Sequence, residues 1–297
     1  MARRMAWRVA ATLALAAAAG CGRIGFGLGS DQGADAPLLD DGGRADDANL
    51  ALPWGAPVRI DLGLAAVDDP SMTADGLELY VNTPSAEVFV SRRATTADPW
   101  PPATRVTSLA GSVYSPHVSA DGLTLWAAVA PPSRIVVTTR STRTDSWAPL
   151  QDVVEVADPA GDDAPFVSPD GLVMVFDSRR NGGADPTLFV SERASLPAAW
   201  GAPSLLSPRI AAVATFGGRP AISADRLTVY FQGDGVPGND IWQMQRNSVA
   251  EAFADPVPAA AFNSTGNEED PWVSADHRTA LFISNRSGQF QLWQATR

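Results

Sequence analysis

The chain has 297 residues, 45% of them hydrophobic and 19% charged, with a formal net charge of −11. That length can bury a large core in one or two domains, and the acidic balance argues against sequence-independent nucleic-acid binding, which depends on Lys and Arg contacts to phosphate. A single cysteine excludes an intrachain disulfide and a cysteine-based zinc site, and two histidines, His117 and His277, leave little for imidazole ligands or a Ser/His/Asp triad.

The first twenty residues hold three arginines and no acid. "MARRMAWR" is a positive n-region, and "VAATLALAAAA" is an apolar stretch too short to span a bilayer comfortably, so residues 1–20 read as a signal peptide. Without them, 19 basic residues face 33 acidic ones, a charge of −14. Ala18, Ala19 and Gly20 lead directly into Cys21, the lone cysteine. This resembles a bacterial lipobox, with Ala18 where leucine is usual, and the resemblance implies a lipidated Cys21 as mature N-terminus. Ordinary cleavage after an Ala-x-Ala site is the alternative, and would leave Cys21 a free thiol. Residues 21–50 are rich in Gly and Asp without apolar periodicity, and are expected to form a disordered acidic tether behind the lipidated cysteine. Several acyl chains make a stable membrane anchor. With no Asp directly after Cys21, the expected location is the outer membrane of the cell envelope, facing the periplasm or the cell surface.

From residue 51 onward one twelve-residue sentence is written five times: "DPSMTADGLELY", "SPHVSADGLTLW", "APFVSPDGLVMV", "RPAISADRLTVY" and "DPWVSADHRTAL". Its aspartates are Asp75, Asp121, Asp170, Asp225 and Asp276, spaced by 46, 49, 55 and 51 residues. That period suits four-stranded propeller blades. In each copy Pro opens a short strand, Ser-x-Asp-Gly makes a tight turn, and alternating residues form a second strand. The Asp side chain can bond backbone amides within the turn, and glycine tolerates positive φ. These five aspartates are therefore read as structural. Arg226 and His277 replace the glycine of Gly76, Gly122 and Gly171, so their turns are expected to be strained or of another type.

A third strand ends in arginine in every copy, and a fourth opens on an aromatic residue seven positions later: Arg93 and Trp100, Arg140 and Trp147, Arg193 and Trp200, Arg246 and Phe253. These arginines are expected to pair with acids or to stack over the aromatic ring. The fifth copy stops at Arg297, while "WGAPVRIDL", from Trp54, is an unpaired fourth strand before the first copy. The spacing thus predicts an all-β, five-bladed β-propeller of four-stranded antiparallel blades over residues 51–297, closed by its N-terminal strand.

The "P-x-x-S-x-D-G-x-x-L" sentence followed by "S-x-R" strands resembles the WD-repeat-like propeller repeat of TolB-type proteins. The resemblance covers the whole folded portion, with departures at Arg226 and His277 and with five blades where TolB has six. It implies a periplasmic or envelope location and non-catalytic protein contacts, and supplies no catalytic set.

In an up-and-down blade the Ser-x-Asp-Gly turns and the seven-residue links share one face of the disc. The loops on the other face vary in length: Asp75 to Arg93 spans 18 residues, but Asp170 to Arg193 spans 23. Function on rigid scaffolds sits on such loops. Near the predicted axis this face carries Asp68 and Asp69, Asp162 and Asp163, and Glu268, Glu269 and Asp270, with Tyr114 and Arg219 from the other blades and Arg179, Arg180 and Arg286 from nearby loops. His117 is read as a packed strand residue. The expected function is a lipid-anchored, non-catalytic envelope module that binds a protein partner or ligand here, with neither a resident cofactor nor a metal. If the acids do gather, a hard cation such as calcium is what they would take. The alternative is a glycan-binding protein or glycoside hydrolase, with Asp69, Asp163 and Asp270 as axial carboxylates. The first reading expects splayed, salt-bridged acids; the second expects convergent, buried ones.

Overall fold

The computed structural model describes residues 52–182, 185–212, 217–235 and 238–297. The expectations for residues 1–50, including lipidation of Cys21, lie outside the described residues. The described residues form five four-stranded antiparallel sheets, each a blade. Blade 1 comprises Asp68–Met72, Glu78–Asn82, Val88–Arg92 and Thr104–Arg105. Blade 2 comprises Val113–Val118, Thr124–Val129, Arg134–Thr139 and Gln151–Asp152, and blade 3 comprises Asp162–Val167, Val173–Ser178, Thr187–Glu192 and Ser204–Leu205. Blade 4 comprises Gly217–Ile222, Thr228–Asp234, Asn239–Gln245 and Val257–Pro258. Blade 5 takes Glu268–Val273, Thr279–Ser284 and Gln291–Thr296 from the end of the chain, and its outer strand, Val58–Ile60, from the beginning.

The closure is chemically the same as a normal blade. Guanidinium carbons lie 4.1 Å from the ring centre in Arg93–Trp100, 4.3 Å in Arg140–Trp147 and Arg193–Trp200, and 4.4 Å in Arg246–Phe253. Arg297 lies 4.3 Å from Trp54 and completes the set across the chain ends. In each blade the same arginine donates Nε to the backbone carbonyl at the glycine position of the turn: Gly76, Gly122, Gly171, Arg226 and His277. The seven-residue spacing is thus the length needed to fold the aromatic back over its arginine.

The five turns are also alike. The residue after the Asp donates its N–H to the carbonyl at the Ser or Thr position, and the Asp carboxylate accepts from that hydroxyl and from the amide two residues on. Arg226 at φ 62° and His277 at φ 56° hold the same left-handed conformation as Gly122 at 76°. Of the two expectations, strain holds and a different turn type does not. Between blades, Val81, Ala127, Phe176, Phe231 and Phe282 occupy one register of the second strands and are 0% exposed. Second strands are therefore apolar on both faces, since each blade packs a neighbour on either side.

Candidate functional site

Each inner strand carries a bulge immediately before its Pro. The residue at the bulge is left-handed in all five blades: Asp69 at φ 48°, Ser115 at 51°, Ala164 at 48°, Arg219 at 50° and Asp270 at 53°. None is glycine, and a residue before proline is further restricted, so the surrounding ring must hold this conformation in place. These five residues and their prolines line the mouth of the axial channel. Below them the channel is filled by His117, Phe166 and Trp272. The His117 ring lies 4.3 Å from that of Phe166, and Nε2 donates to the Val167 carbonyl at 2.9 Å. Burial lowers its pKa to about 4, so it is neutral and packed, as the sequence suggests.

Arg219 is the cation at the centre. Its Nε stands 2.5 Å from Asp270 Oδ1, a charge contact without hydrogen-bond alignment, and 3.3 Å from Asp69 Oδ1. Nη1 donates to Gln232 Oε1 at 3.3 Å, and the backbone N–H donates to Asp177 Oδ2 at 3.3 Å. Carboxylates and an amide cap three of the other bulges. Asp270 Oδ2 accepts from the Asp69 amide, Asn82 Oδ1 from the Ser115 amide, and Asp163 Oδ1 from the Ala164 amide and the Ser115 hydroxyl. Asn82, Asp177 and Gln232 share one position, seven residues after the turn Asp. Neither Asp177 nor Asn82 stands out in the sequence, and that offset from the repeat is the signal that finds them.

This crowd of acids raises several pKa values. Burial, then the charges of Asp177 and Asp69, pushes Asp163 up to about 7. Burial brings Asp177 to about 6 despite Arg219, and burial followed by Asp69 brings Asp68 to about 6. Asp270 is raised well above the ordinary carboxylate value, again by burial first. Arg219 is driven still further into its charged form, chiefly by Asp270. The expectation of splayed acids is therefore corrected: Asp69 and Asp270 converge on the axis, and Asp163 is buried beside Ser115 and Ala164, near enough to feel the charges of Asp177, Asp69 and Arg219. Salt bridging holds, through Arg219.

The doubled acids are not equivalent across blades. Ala164 stands between Asp163 and Pro165, so Asp163 matches Asp68, and Asp162 matches Val67. Asp162 is 0% exposed along its side chain and accepts from Arg180 at 2.6 Å. Glu268, at the same position in blade 5, accepts from Arg286 at 3.2 Å and from Ser284 and Ser264 at 2.6 Å each. Arg180 and Arg286 also donate to the carbonyls of Val156 and Phe262, and each guanidinium lies over two aromatic rings. These four residues fasten loops from inside. Asp68, Tyr114, Arg179 and Glu269 remain at least partly exposed around the mouth, with Tyr114 bonded to Ser133 and Glu269 to Asn239.

The cavity at the mouth measures about 40 Å³, room for a few waters and far below the several hundred Å³ of a typical small-molecule site. Among the described residues no three His, Cys, Asp or Glu side chains are grouped as a metal site.

No family model and no curated protein matches the chain. Among solved structures, a GH62 hydrolase in complex with xylotriose superposes with a TM-score of 0.53 at 11% identity, covering 82% of this chain and 97% of that one. An α-L-arabinofuranosidase from Podospora anserina, solved with cellotriose, gives 0.51 at 14% identity over 82% and 96%. TolB from Acinetobacter baumannii gives 0.45 at 15% identity over 78% of this chain and 54% of that one, so the chain spans about half of its length. At these identities the likeness is one of fold.

Proposed function

We propose that the protein is a non-catalytic binding module of the cell envelope, anchored through Cys21 and engaging a protein partner through its variable loop face around Asp68, Tyr114, Arg179 and Glu269. The observation that carries this reading is Arg219. Its guanidinium pairs with Asp69 and Asp270 at the axial mouth, where a sugar ring or cation would sit, and leaves about 40 Å³. The acids then serve to lock the ring and do not need a calcium ion to balance them. The envelope location rests on the signal-like segment and on Cys21. In-cell crosslinking followed by membrane capture tests both parts. One recurrent protein, lost with Asp68→Ala/Glu269→Ala and reduced by Cys21→Ala, is the expected result.

A second reading, a glycoside hydrolase, draws support from the convergence of buried acids with raised pKa values, the environment a general acid needs. Incubation with envelope polysaccharides separates the two. Turnover abolished by Asp163→Asn in a chain that still folds establishes the hydrolase and removes the first reading.

A further inference from the structure

A hollow much larger than the axial mouth lies on the opposite face, between blades 2 and 3. It is a groove of about 670 Å³ on the Ser-x-Asp-Gly side, a volume typical of ligand sites. Trp126, Val153 and Trp200 form its buried apolar lining, Leu196 stands 62% exposed at its edge, and Asp121, Asp152, Glu155 and Asp170 contribute acids.

Two other seams explain why it is open. Between blades 1 and 2, Arg143 Nη1 donates to Asp75 Oδ2 at 2.5 Å and closes the seam from the blade 2 side. Between blades 3 and 4, Arg226 Nη2 donates to Asp170 Oδ2 at 2.7 Å. Across the seam between blades 2 and 3, the position of Arg143 is held by Leu196 and that of Arg226 by Gly171. The links 140–147 and 193–200 have the same length and the same internal turn bond, Asp145 N–H to the Thr142 carbonyl and Ala198 N–H to the Ser195 carbonyl, so the correspondence is one of position in space. Asp121 uses Oδ1 within its own turn, and among the described residues no guanidinium bonds its side chain across this seam. Asp152 is paired with Arg134 and Asp170 with Arg226, which leaves Asp121 and Glu155 without an ion pair among the described residues, Arg143 acting on Asp121 only at a distance while it pairs with Asp75.

We propose that this groove receives an arginine-bearing, apolar segment of a protein partner, whose guanidinium takes the place that Arg143 takes at the neighbouring seam while an apolar side chain packs against Leu196 and Trp200. Charge decides the occupant. Residues 52–297 hold 17 arginines against 27 acids, so a second copy brings repulsion, whereas a basic segment brings the missing cation. This surface is separate from the axial mouth and does not depend on what binds there.

The test is fluorescence anisotropy with two labelled peptides, one alternating leucine and arginine and one alternating leucine and glutamate, against the full chain. The arginine peptide is expected to bind and the glutamate peptide not. Asp121→Asn should weaken binding about tenfold. Leu196→Arg should supply the tie from within, close the groove and abolish binding, and since Leu196 is exposed the fold is not at risk; a thermal melt confirms it. Asp255→Asn, an exposed acid of blade 4 outside the groove, should leave binding unchanged and so controls for general attraction to an acidic protein. Absence of binding, equal binding of both peptides, or indifference to Leu196→Arg overturns the proposal. So does a dimer of the parent chain that Leu196→Arg dissolves, which would assign the groove to a second copy.

Discussion

The guanidinium of Arg297 lies 4.3 Å from the ring centre of Trp54, 243 positions earlier in the chain. The Gly55 amide donates to the Thr296 carbonyl at 2.8 Å beside it, and Trp54 also packs against Phe262 at 5.2 Å. The outer strand of blade 5 is joined to its other three strands only by non-covalent contacts, and this contact and the three-residue pairing of Val58–Ile60 help to hold the ring shut, with the Asp69 amide to Asp270 and Gln291 to the Ala65 carbonyl. Arg297→Ala removes a cation–π contact worth about 0.5–2 kcal/mol and a hydrogen bond worth about 1 kcal/mol. The melting temperature should fall by roughly 2–4 °C per kcal/mol for a domain of this size. Trp54→Ala should cost more, about 3 kcal/mol, through lost packing. Unchanged melting for both variants would mean that the clasp contributes nothing to closure.

How much of this was legible depends on what was repeated. Five copies of the turn and four Arg-to-aromatic intervals of seven fix the blade count, the strand order and the closing strand, because each is a local rule stated several times. The axial site is not repeated. It is built from the places where the copies differ, and a period-2 strand turns one residue of slippage into the opposite face. "DDP" in blade 1 and "DDAP" in blade 3 look alike as doubled acids, yet the inserted Ala164 sends Asp162 to Arg180 inside the structure and leaves Asp163 in the place of Asp68. Arg219 was visible as a charged residue, but its position at the centre of the acids follows only from closing the ring.

The inward acids Asp162 and Glu268 make a direct prediction. Each is fully buried along its side chain, and its arginine is mostly covered as well, Arg180 at 14% and Arg286 at 17% exposed. Removing one member of a buried pair strands the other and typically costs 3–5 kcal/mol, roughly the range expected here. Asp162→Ala and Glu268→Ala should therefore each lower the denaturation midpoint sharply, and because they lie in blades 3 and 5 their effects should add. Asp68→Ala and Glu269→Ala, at the partly exposed mouth, should change stability little. Equal small effects at all four positions would return Asp162 and Glu268 to the list of surface candidates.

The left-handed turns permit a paired test. At Gly122 φ is 76°, and an added Cβ would meet Arg143 Nε at 2.8 Å. Gly122→Ala should cost about 1–2 kcal/mol from backbone conformation alone, with further loss as Arg143 is pushed from Asp75. His277 already bears that conformational cost, so His277→Gly should recover part of it, less about 0.5–1 kcal/mol of added unfolded-state freedom. Its imidazole contact with Arg297 at 3.0 Å is lost as well. Chemical denaturation should thus show a clear loss for Gly122→Ala and a change near zero or a small gain for His277→Gly. A loss at His277→Gly as large as that at Gly122→Ala would show that the imidazole contact outweighs the strain.

The axial acids set the pH dependence. A carboxyl whose folded-state pKa lies above its ordinary value of 3.8 binds its proton more tightly in the folded chain, so its stabilising effect is complete below 3.8 and is lost as pH rises through the folded value. With Asp68 and Asp177 near 6 and Asp163 near 7, their contribution should decline between about pH 4 and pH 7. It is offset in part by His117 and His277, which burial holds near 4 and which therefore add stability as pH rises toward 6.5. The turn aspartates Asp75, Asp121 and Asp170 act in the other direction. Burial works against their ionisation, but hydrogen bonds from Thr73, Ser119 and Ser168 and from backbone amides outweigh it, helped by Arg143 and Arg226, and lower their pKa. Their contribution is present above 3.8 and fades as pH falls below it, so the two sets of acids together stabilise most at about pH 4, where their windows meet. Asp163→Asn keeps an oxygen to accept from Ser115 and the Ala164 amide while removing the charge that burial opposes. At about 1.4 kcal/mol per pKa unit, halved for its coupling to Asp177, the variant should gain on the order of 2 kcal/mol at pH 8 and nothing at pH 4. Urea denaturation across that range would show the two curves converging toward acid. Parallel curves would mean that Asp163 is ionised throughout, with Arg219 balancing it fully.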